Sequence, residues 1–254
     1  MNIYNYRPRS GQNFGDELGP VIVNSILNNL KLKNSINDNL TLFTVGSVIH
    51  LSRHNDVVWG SGVNGKVSLP INMISRNYYA VRGPRTQNLL LENGIKCPKN
   101  YGDPAILLSD IYAPKKNVYS SNKILIIPNY NDFSKLLNEY EKLKSKDMII
   151  IHPFTHLYTL LDLIANSDAV ITSSLHAKII ADCYQIPNAI LGGNGYAEHP
   201  FKYLDYSEGI GHKNITFFSD ISSSLKKISN PLIITKDIKE ELLNAFPVKF
   251  FHAC

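Results

Sequence analysis

The chain has 254 residues and a mass of 28.5 kDa, with 44% hydrophobic and 19% charged residues, a composition that supplies a large core and excludes a disordered or fibrous protein. Its net charge of +5 is unevenly placed: residues 1–118 carry 13 Lys and Arg against 7 Asp and Glu, whereas residues 119–254 carry 13 against 14. No apolar run reaches the roughly 18–20 residues of a membrane span, and no dense basic run or aromatic platform motif points to nucleic acid.

Arg7 and Arg9 are followed by no apolar stretch of signal-peptide type, so a cytoplasmic protein is expected. Cys97, Cys183 and Cys254 are widely spaced, without a CxxC pair, and read as reduced thiols.

In chain order, periodicity predicts a helix over 16–29, strands over 40–45, 56–59 and 78–81, and a helix over 84–93 with Pro84 in its first turn and Gly94 as its stop. The polar, aperiodic stretch 112–122 reads as a linker. Beyond it come a strand over 124–127, a helix over 133–144, a strand over 148–151, a helix over 157–166, a strand over 169–172, a helix over 175–184 and a strand over 188–191. This alternation indicates an α/β fold with mainly parallel sheets. It divides into an N-terminal α/β domain over 1–116 and a C-terminal Rossmann-like domain over 117–254, with the last helix returning to the first domain. Paired α/β domains hold ligands between them, at the carboxyl ends of the strands.

The strand-to-helix turns therefore carry the candidate chemistry. In VITSSLHAKIIADCY, residues 170–184, a buried strand runs into Ser173, Ser174, His176 and Lys178 at a helix start, where unpaired N–H groups attract an anion. A purely capping role for the serines and a surface position for His176 remain open there. In QNFGDELGP, residues 12–20, Asn13, Gly15, Asp16 and Glu17 open a helix, and the acids serve either chemistry or the helix dipole. In VVWGSGV, residues 57–63, Gly60-Ser61-Gly62 leaves room for a ligand or for a tight turn. In AVRGPRT, residues 80–86, Arg82 ends a strand and Arg85 sits in a helix first turn, where a cation calls for an anionic partner, bound or within the protein. Asp103 in YGDPAILL, residues 101–108, reads first as a turn former.

In this order the segments NFGDELGP, GSVIH, VWGSGV, VRGPRT, YGDPAILL and SDAVITSSLHAKIIADCYQIPNAIL resemble the polysaccharide pyruvyl transferase family, most closely its succinoglycan-type ketal transferases. Two positions depart from the family pattern: Ala177 follows the histidine where glycine is frequent, and Arg85 stands where many members have leucine. The resemblance implies a two-domain architecture similar to GT-B glycosyltransferases, with phosphoenolpyruvate as donor substrate; that chemistry requires no cofactor and no metal, and the histidines have no HxH or HExxH spacing, so none is expected. Holding so anionic a donor and supplying one proton points to donor binding by Arg82, Arg85, Ser173, Ser174 and Lys178, with His176, whose ordinary pKa of about 6.5 lets it donate and accept near neutrality, the first choice of general acid and Asp16 orienting or deprotonating the acceptor. Asn13, Gly15, Ser61 and Asp103 are then acceptor or cleft residues. The acceptor is a saccharide, with its lipid-linked, nucleotide-linked and polymeric forms all open, and the basic N-terminal half suits an anionic membrane surface. A GT-B glycosyltransferase using a nucleotide-diphosphate sugar is the alternative, with Glu198 and Glu208 the candidate ribose partners; a non-catalytic binding protein is a third reading. Stretch 192–214 reads as a glycine-rich loop whose aromatic faces suit sugar stacking.

Overall fold

The computed structural model describes residues 1–4, 14–34, 39–70, 74–116, 119–143 and 145–253. Asn13 and Cys254 therefore lie outside the described residues, as do Arg7 and Arg9. The first half contains β1 (Asn2–Ile3), α1 (Phe14–Leu30), β2 (Leu32–Asn34), β3 (Thr41–Phe43), β4 (Val57–Trp59), β5 (Asn77–Ala80), α2 (Pro84–Glu92) and α3 (Leu108–Ile111). The second contains β6 (Ile124–Ile127), α4 (Phe133–Leu143), β7 (Met148–Ile150), α5 (Leu157–Ala165), β8 (Ala169–Thr172), α6 (Leu175–Cys183) and β9 (Asn188–Leu191). The chain closes with α7 (Phe201–Gly209), β10 (Phe217–Phe218), α8 (Ile221–Leu225), α9 (Lys236–Asn244) and β11 (Phe251–Ala253).

Among the described residues, two parallel sheets dominate, one in the order β1-β3-β4-β5 and one in the order β10-β9-β8-β6-β7. The all-apolar or nearly apolar strands ILII, AVIT and NAIL are those of a sheet covered on both faces. α1 buries Leu18, Ile22, Val23, Ile26 and Leu27, a helical stripe facing the core. One apolar cluster runs through both halves, from Leu18 and Trp59 to Leu125 and Ile180. Completely buried Trp59 donates its Nε1–H to the Leu242 carbonyl at 2.9 Å and meets Phe246 edge-on at 5.0 Å, while β11 pairs with β2. The C-terminal segment thus packs back on the first half. No helix among the described residues is long and apolar enough to cross a membrane.

Residues 192–214 are not one long loop, because α7 occupies their middle. Its Tyr203 and Tyr206 point inward, the first donating to the Ser173 carbonyl at 2.7 Å and the second to Asp182 Oδ2 at 3.0 Å. On its other side, Asp205 accepts from Arg82 Nε at 3.0 Å and from Thr86 N–H and Oγ1–H at 2.9 and 2.7 Å. An added Cβ on Gly83 would stand 1.8 Å from the Asp205 carbonyl oxygen, and one on Gly209 would stand 2.2 Å from that of Arg82. These two glycines let backbone pack on backbone, and α7 is fastened to both halves.

Candidate active site

At the carboxyl ends of the strands, between the two sheets, lies a cavity of about 290 Å³. The first half contributes Asp16 from the first turn of α1, with Ser47 and Asn64 from the turns after β3 and β4. The second contributes Asn129 after β6 and Ser174 and His176 at the start of α6, while Glu198 comes from the approach to α7 and Lys202 from its first turn. Ser174 is the N-cap of α6, its hydroxyl facing the Ala177 N–H at 3.5 Å, and its own N–H donates to Thr172 Oγ1 at 2.8 Å. That cap aims the helix start and the adjoining imidazole into the cavity.

His176 meets α1 across the cavity. A Cβ added to Gly15 would lie 2.0 Å from His176 Nδ1, so the missing side chain is the seat of the imidazole. Its Nε2 is buried and makes no hydrogen bond among the described residues. Gly15→Ala should therefore push the ring aside, lowering turnover at least about tenfold while costing roughly 1–3 kcal/mol of stability. Steady-state kinetics beside thermal unfolding checks this, and wild-type turnover would show that Gly15 does not set the ring's position.

Charge in the cavity follows from burial. Burial pushes the Asp16 carboxyl up to about 7, against the pull of Lys202. Burial, reinforced by the Lys202 and Arg82 charges, brings His176 down to about 3. Near neutrality the carboxyl is thus substantially protonated and the imidazole neutral. Burial also lowers the Lys202 ammonium, while Glu198 at 2.8 Å works to restore it. Burial raises Glu198, but the Lys202 charge and hydrogen bond, with Lys66 beyond, carry its carboxyl below the usual range.

Asp16, Ser174 and His176 are brought together, with Gly15 against them. Other expected site residues stand elsewhere. Arg82 is fully buried behind the wall, giving Nε–H to Asp205, Nη1–H to Ser47 Oγ at 2.5 Å and Nη2–H to the Val63 carbonyl at 2.6 Å. Arg85 forms a forked pair with Glu208 at 2.7–3.0 Å, the partner within the protein that its helix position called for. Lys178 turns away and binds both Asp182 oxygens at 2.7 Å. Ser173 Oγ accepts the Asn129 N–H at 2.9 Å, and Ser61 Oγ donates to the Gly46 carbonyl at 2.9 Å; both are buried outside the cavity lining. Asp103 is buried and caps the short helical turn at Pro104–Leu107 through the Ala105 N–H; burial raises its carboxyl to about 6 against the nearby Arg82. The Gly60-Ser61-Gly62 turn makes room for the protein itself. Added Cβ atoms would meet Pro104 Cδ at 2.3 Å and Arg82 Cζ at 2.5 Å, so its glycines admit no ligand.

The profile of the polysaccharide pyruvyl transferase family matches residues 13–195, most of the chain and the whole of the first-half and α6 walls of the cavity. The chain belongs to the polysaccharide pyruvyl transferase family. No curated protein matches it. Among solved structures, a functionally uncharacterized protein from Klebsiella pneumoniae aligns with a TM-score of 0.52 and 12% identity, covering 86% of this chain and 93% of the other. The UDP-GlcNAc 2-epimerase of Methanocaldococcus jannaschii, solved with UDP-GlcNAc and UDP, aligns with a TM-score of 0.45 and 16% identity, over 94% of this chain and 75% of the other. The first likeness is one of fold.

Within this pyruvyl transferase, Lys202 is the cavity's cation that sequence reasoning missed. Its signal was present: Glu198 and Lys202 are spaced i,i+4 around Pro200, a helix-start pattern hidden between glycine-rich flanks. Ser47, Asn64 and Asn129 were equally unremarked, since single amides and hydroxyls in turns have no periodicity to announce them.

Proposed function

We propose that this pyruvyl transferase moves the pyruvyl group of phosphoenolpyruvate onto two hydroxyls of a sugar in a bacterial surface polysaccharide or its precursor, closing a pyruvate ketal. What supports this reading is a single cavity joining a carboxyl held near half-protonation, a neutral imidazole and a buried ammonium. Opposed shifts in one site assign acid and base. Asp16 therefore replaces His176 as the acid. It protonates the methylene carbon while His176 takes the proton of the first sugar hydroxyl, whose oxygen bonds to C2. The C2–O bond to phosphorus then breaks, and phosphate leaves with the proton held by His176. The second hydroxyl bonds to C2 and returns its proton to Asp16, restoring both groups.

Lys202 and the capped start of α6 hold the anionic donor, with Arg82 supplying positive field from behind the wall. In this reading the parallel sheets on either side of the cavity are two Rossmann-like units in a GT-B-like arrangement. The setting is cytoplasmic, and the basic first half suits acceptors presented at an anionic membrane. A nucleotide-sugar donor is less favoured because Glu208, paired with Arg85 at 2.7 Å, stands outside the cavity lining, and Glu198 is already engaged with Lys202 at 2.8 Å.

Thermal unfolding with phosphoenolpyruvate, beside UDP, GDP and phosphate, tests the donor. A native-state ligand at 100 times its Kd adds about 2.7 kcal/mol. A rise in Tm with phosphoenolpyruvate that is lost in Lys202→Ala is expected; a rise with nucleotide diphosphates alone would move the chain to sugar transfer.

A further inference from the structure

Next to the cavity, on the side of the edge strand β7, the surface carries a row of aromatic rings that the transfer chemistry does not use. Tyr130, 40% exposed and part of the cavity wall, stacks on Phe154 with centroids 5.2 Å apart and planes at 24°. Exposed His152 stands edge-on to Phe154 at 5.3 Å and to Phe133 at 4.7 Å. Tyr130 follows β6 and Phe154 follows β7, neighbouring parallel strands, so their carboxyl-end turns lie side by side.

The row is braced before any ligand arrives. Asn129 accepts the Asn131 N–H at 2.9 Å, and its own N–H is held by Ser173 Oγ at the same distance. The Phe154 N–H faces His152 Nδ1 at 3.2 Å, and the Thr155 hydroxyl donates to the His152 carbonyl at 2.8 Å. Exposed Asn131 and His152 place polar groups beside the rings. Toward β9 the situation is the reverse. The Tyr196 ring lies under Lys135 Nζ at 3.4 Å, and Tyr203 is buried. Of the aromatic rings expected in stretch 192–214, Tyr203 is thus buried and Tyr196 has a cation over its ring, while half-buried Phe201 lies outside the lining of this cavity.

The geometry points to Tyr130 and Phe154 as a saccharide subsite that receives the sugar residues next to the one being modified, so that the acceptor is an oligosaccharide chain leaving the cavity over β7. This rests on the proposed transfer to sugar. An apolar ring face flanked by amide and imidazole groups matches a pyranose, whose C–H face stacks while its equatorial hydroxyls hydrogen-bond at the edge.

Phosphate released from phosphoenolpyruvate is measured with β-linked gluco- and galacto-oligosaccharides from the monosaccharide to the pentasaccharide. Wild type is expected to show acceptor KM falling roughly five- to tenfold with length, and Phe154→Ala and Tyr130→Ala to abolish that gain. Phe154→Leu, which keeps an apolar side chain without a ring face, serves if Phe154→Ala unfolds. A gain that persists in the variants, its absence in wild type, or failure of every saccharide to serve overturns the subsite. Donor-induced stabilisation separates the two readings: without it the proposed function fails, and with it but no length dependence only the subsite does.

Discussion

Asp16→Asn is expected to lower turnover by about 10²- to 10⁴-fold, the range associated with a positioned proton donor. The argument rests on proton inventory. A side chain that must give a proton to carbon has to hold one at working pH, and of the two groups in the cavity it is the carboxyl, raised to about 7, that does so. His176, brought down to about 3, is neutral and able to accept. In wild type, kcat/KM should be level through the weakly acidic range and decline as pH rises through about 7. A bound anionic donor raises the carboxyl further, so the corresponding decline in kcat should lie at higher pH. His176→Ala should lose activity to a similar degree but keep the alkaline limb in what remains, whereas Asp16→Asn should lose the limb itself. Stability supplies an independent sign. A carboxyl whose folded pKa is raised contributes fully below its unfolded value of 3.8, and that contribution is lost as pH rises through about 7. Asp16→Asn should therefore be at least as stable as wild type above that pH. If the alkaline limb follows His176 instead, the two roles are exchanged.

Arg82→Ala is expected to act on the fold before it acts on the donor. Arg82 and Asp205 are both fully shielded from solvent, at 3.0 Å, and removing one partner leaves the other charge buried. Such breaks cost about 3–5 kcal/mol, which for a chain of this size is a fall of roughly 6–20 °C in Tm. The Ser47 hydroxyl and the Val63 carbonyl lose their donor as well. Replacing the pair together, Arg82→Met with Asp205→Leu, should recover much of the loss, since apolar side chains of similar bulk carry no desolvation cost. Phosphoenolpyruvate should still raise the Tm of the double variant. A single variant of wild-type Tm that no longer responds to donor would return Arg82 to the cavity.

The regular elements were legible because their physics is local. β6, β8 and β9 announce themselves as short runs of β-branched and apolar residues, and α1, α2 and α6 as stripes with recognisable starts. The turn after β8, which lines the cavity, was legible as a candidate for the same reason: a serine cap followed by histidine is a local pattern. The partners of the arginines were not legible, because a buried cation and a ligand-binding cation look alike in sequence and the partners of Arg82 and Arg85 lie 123 positions along the chain. α7 escaped because inward tyrosines between two glycine-rich flanks show no apolar stripe. β1, β10 and β11, each only two or three residues long, are defined by their pairing and carry little signal of their own.

The fastening of α7 bears on how substrates come and go. A helix bonded to Arg82 and Thr86 on one side and to the Ser173 carbonyl and Asp182 on the other works as a rivet: hinge rotation of one sheet against the other would shear buried bonds at both faces. Because Lys202 rides on that rivet, its distance from both walls is set by the fold rather than by closure around a ligand. Passage into the cavity then falls to the short turns at its rim, and the transfer proposed above would run in a fixed jig rather than a closing jaw.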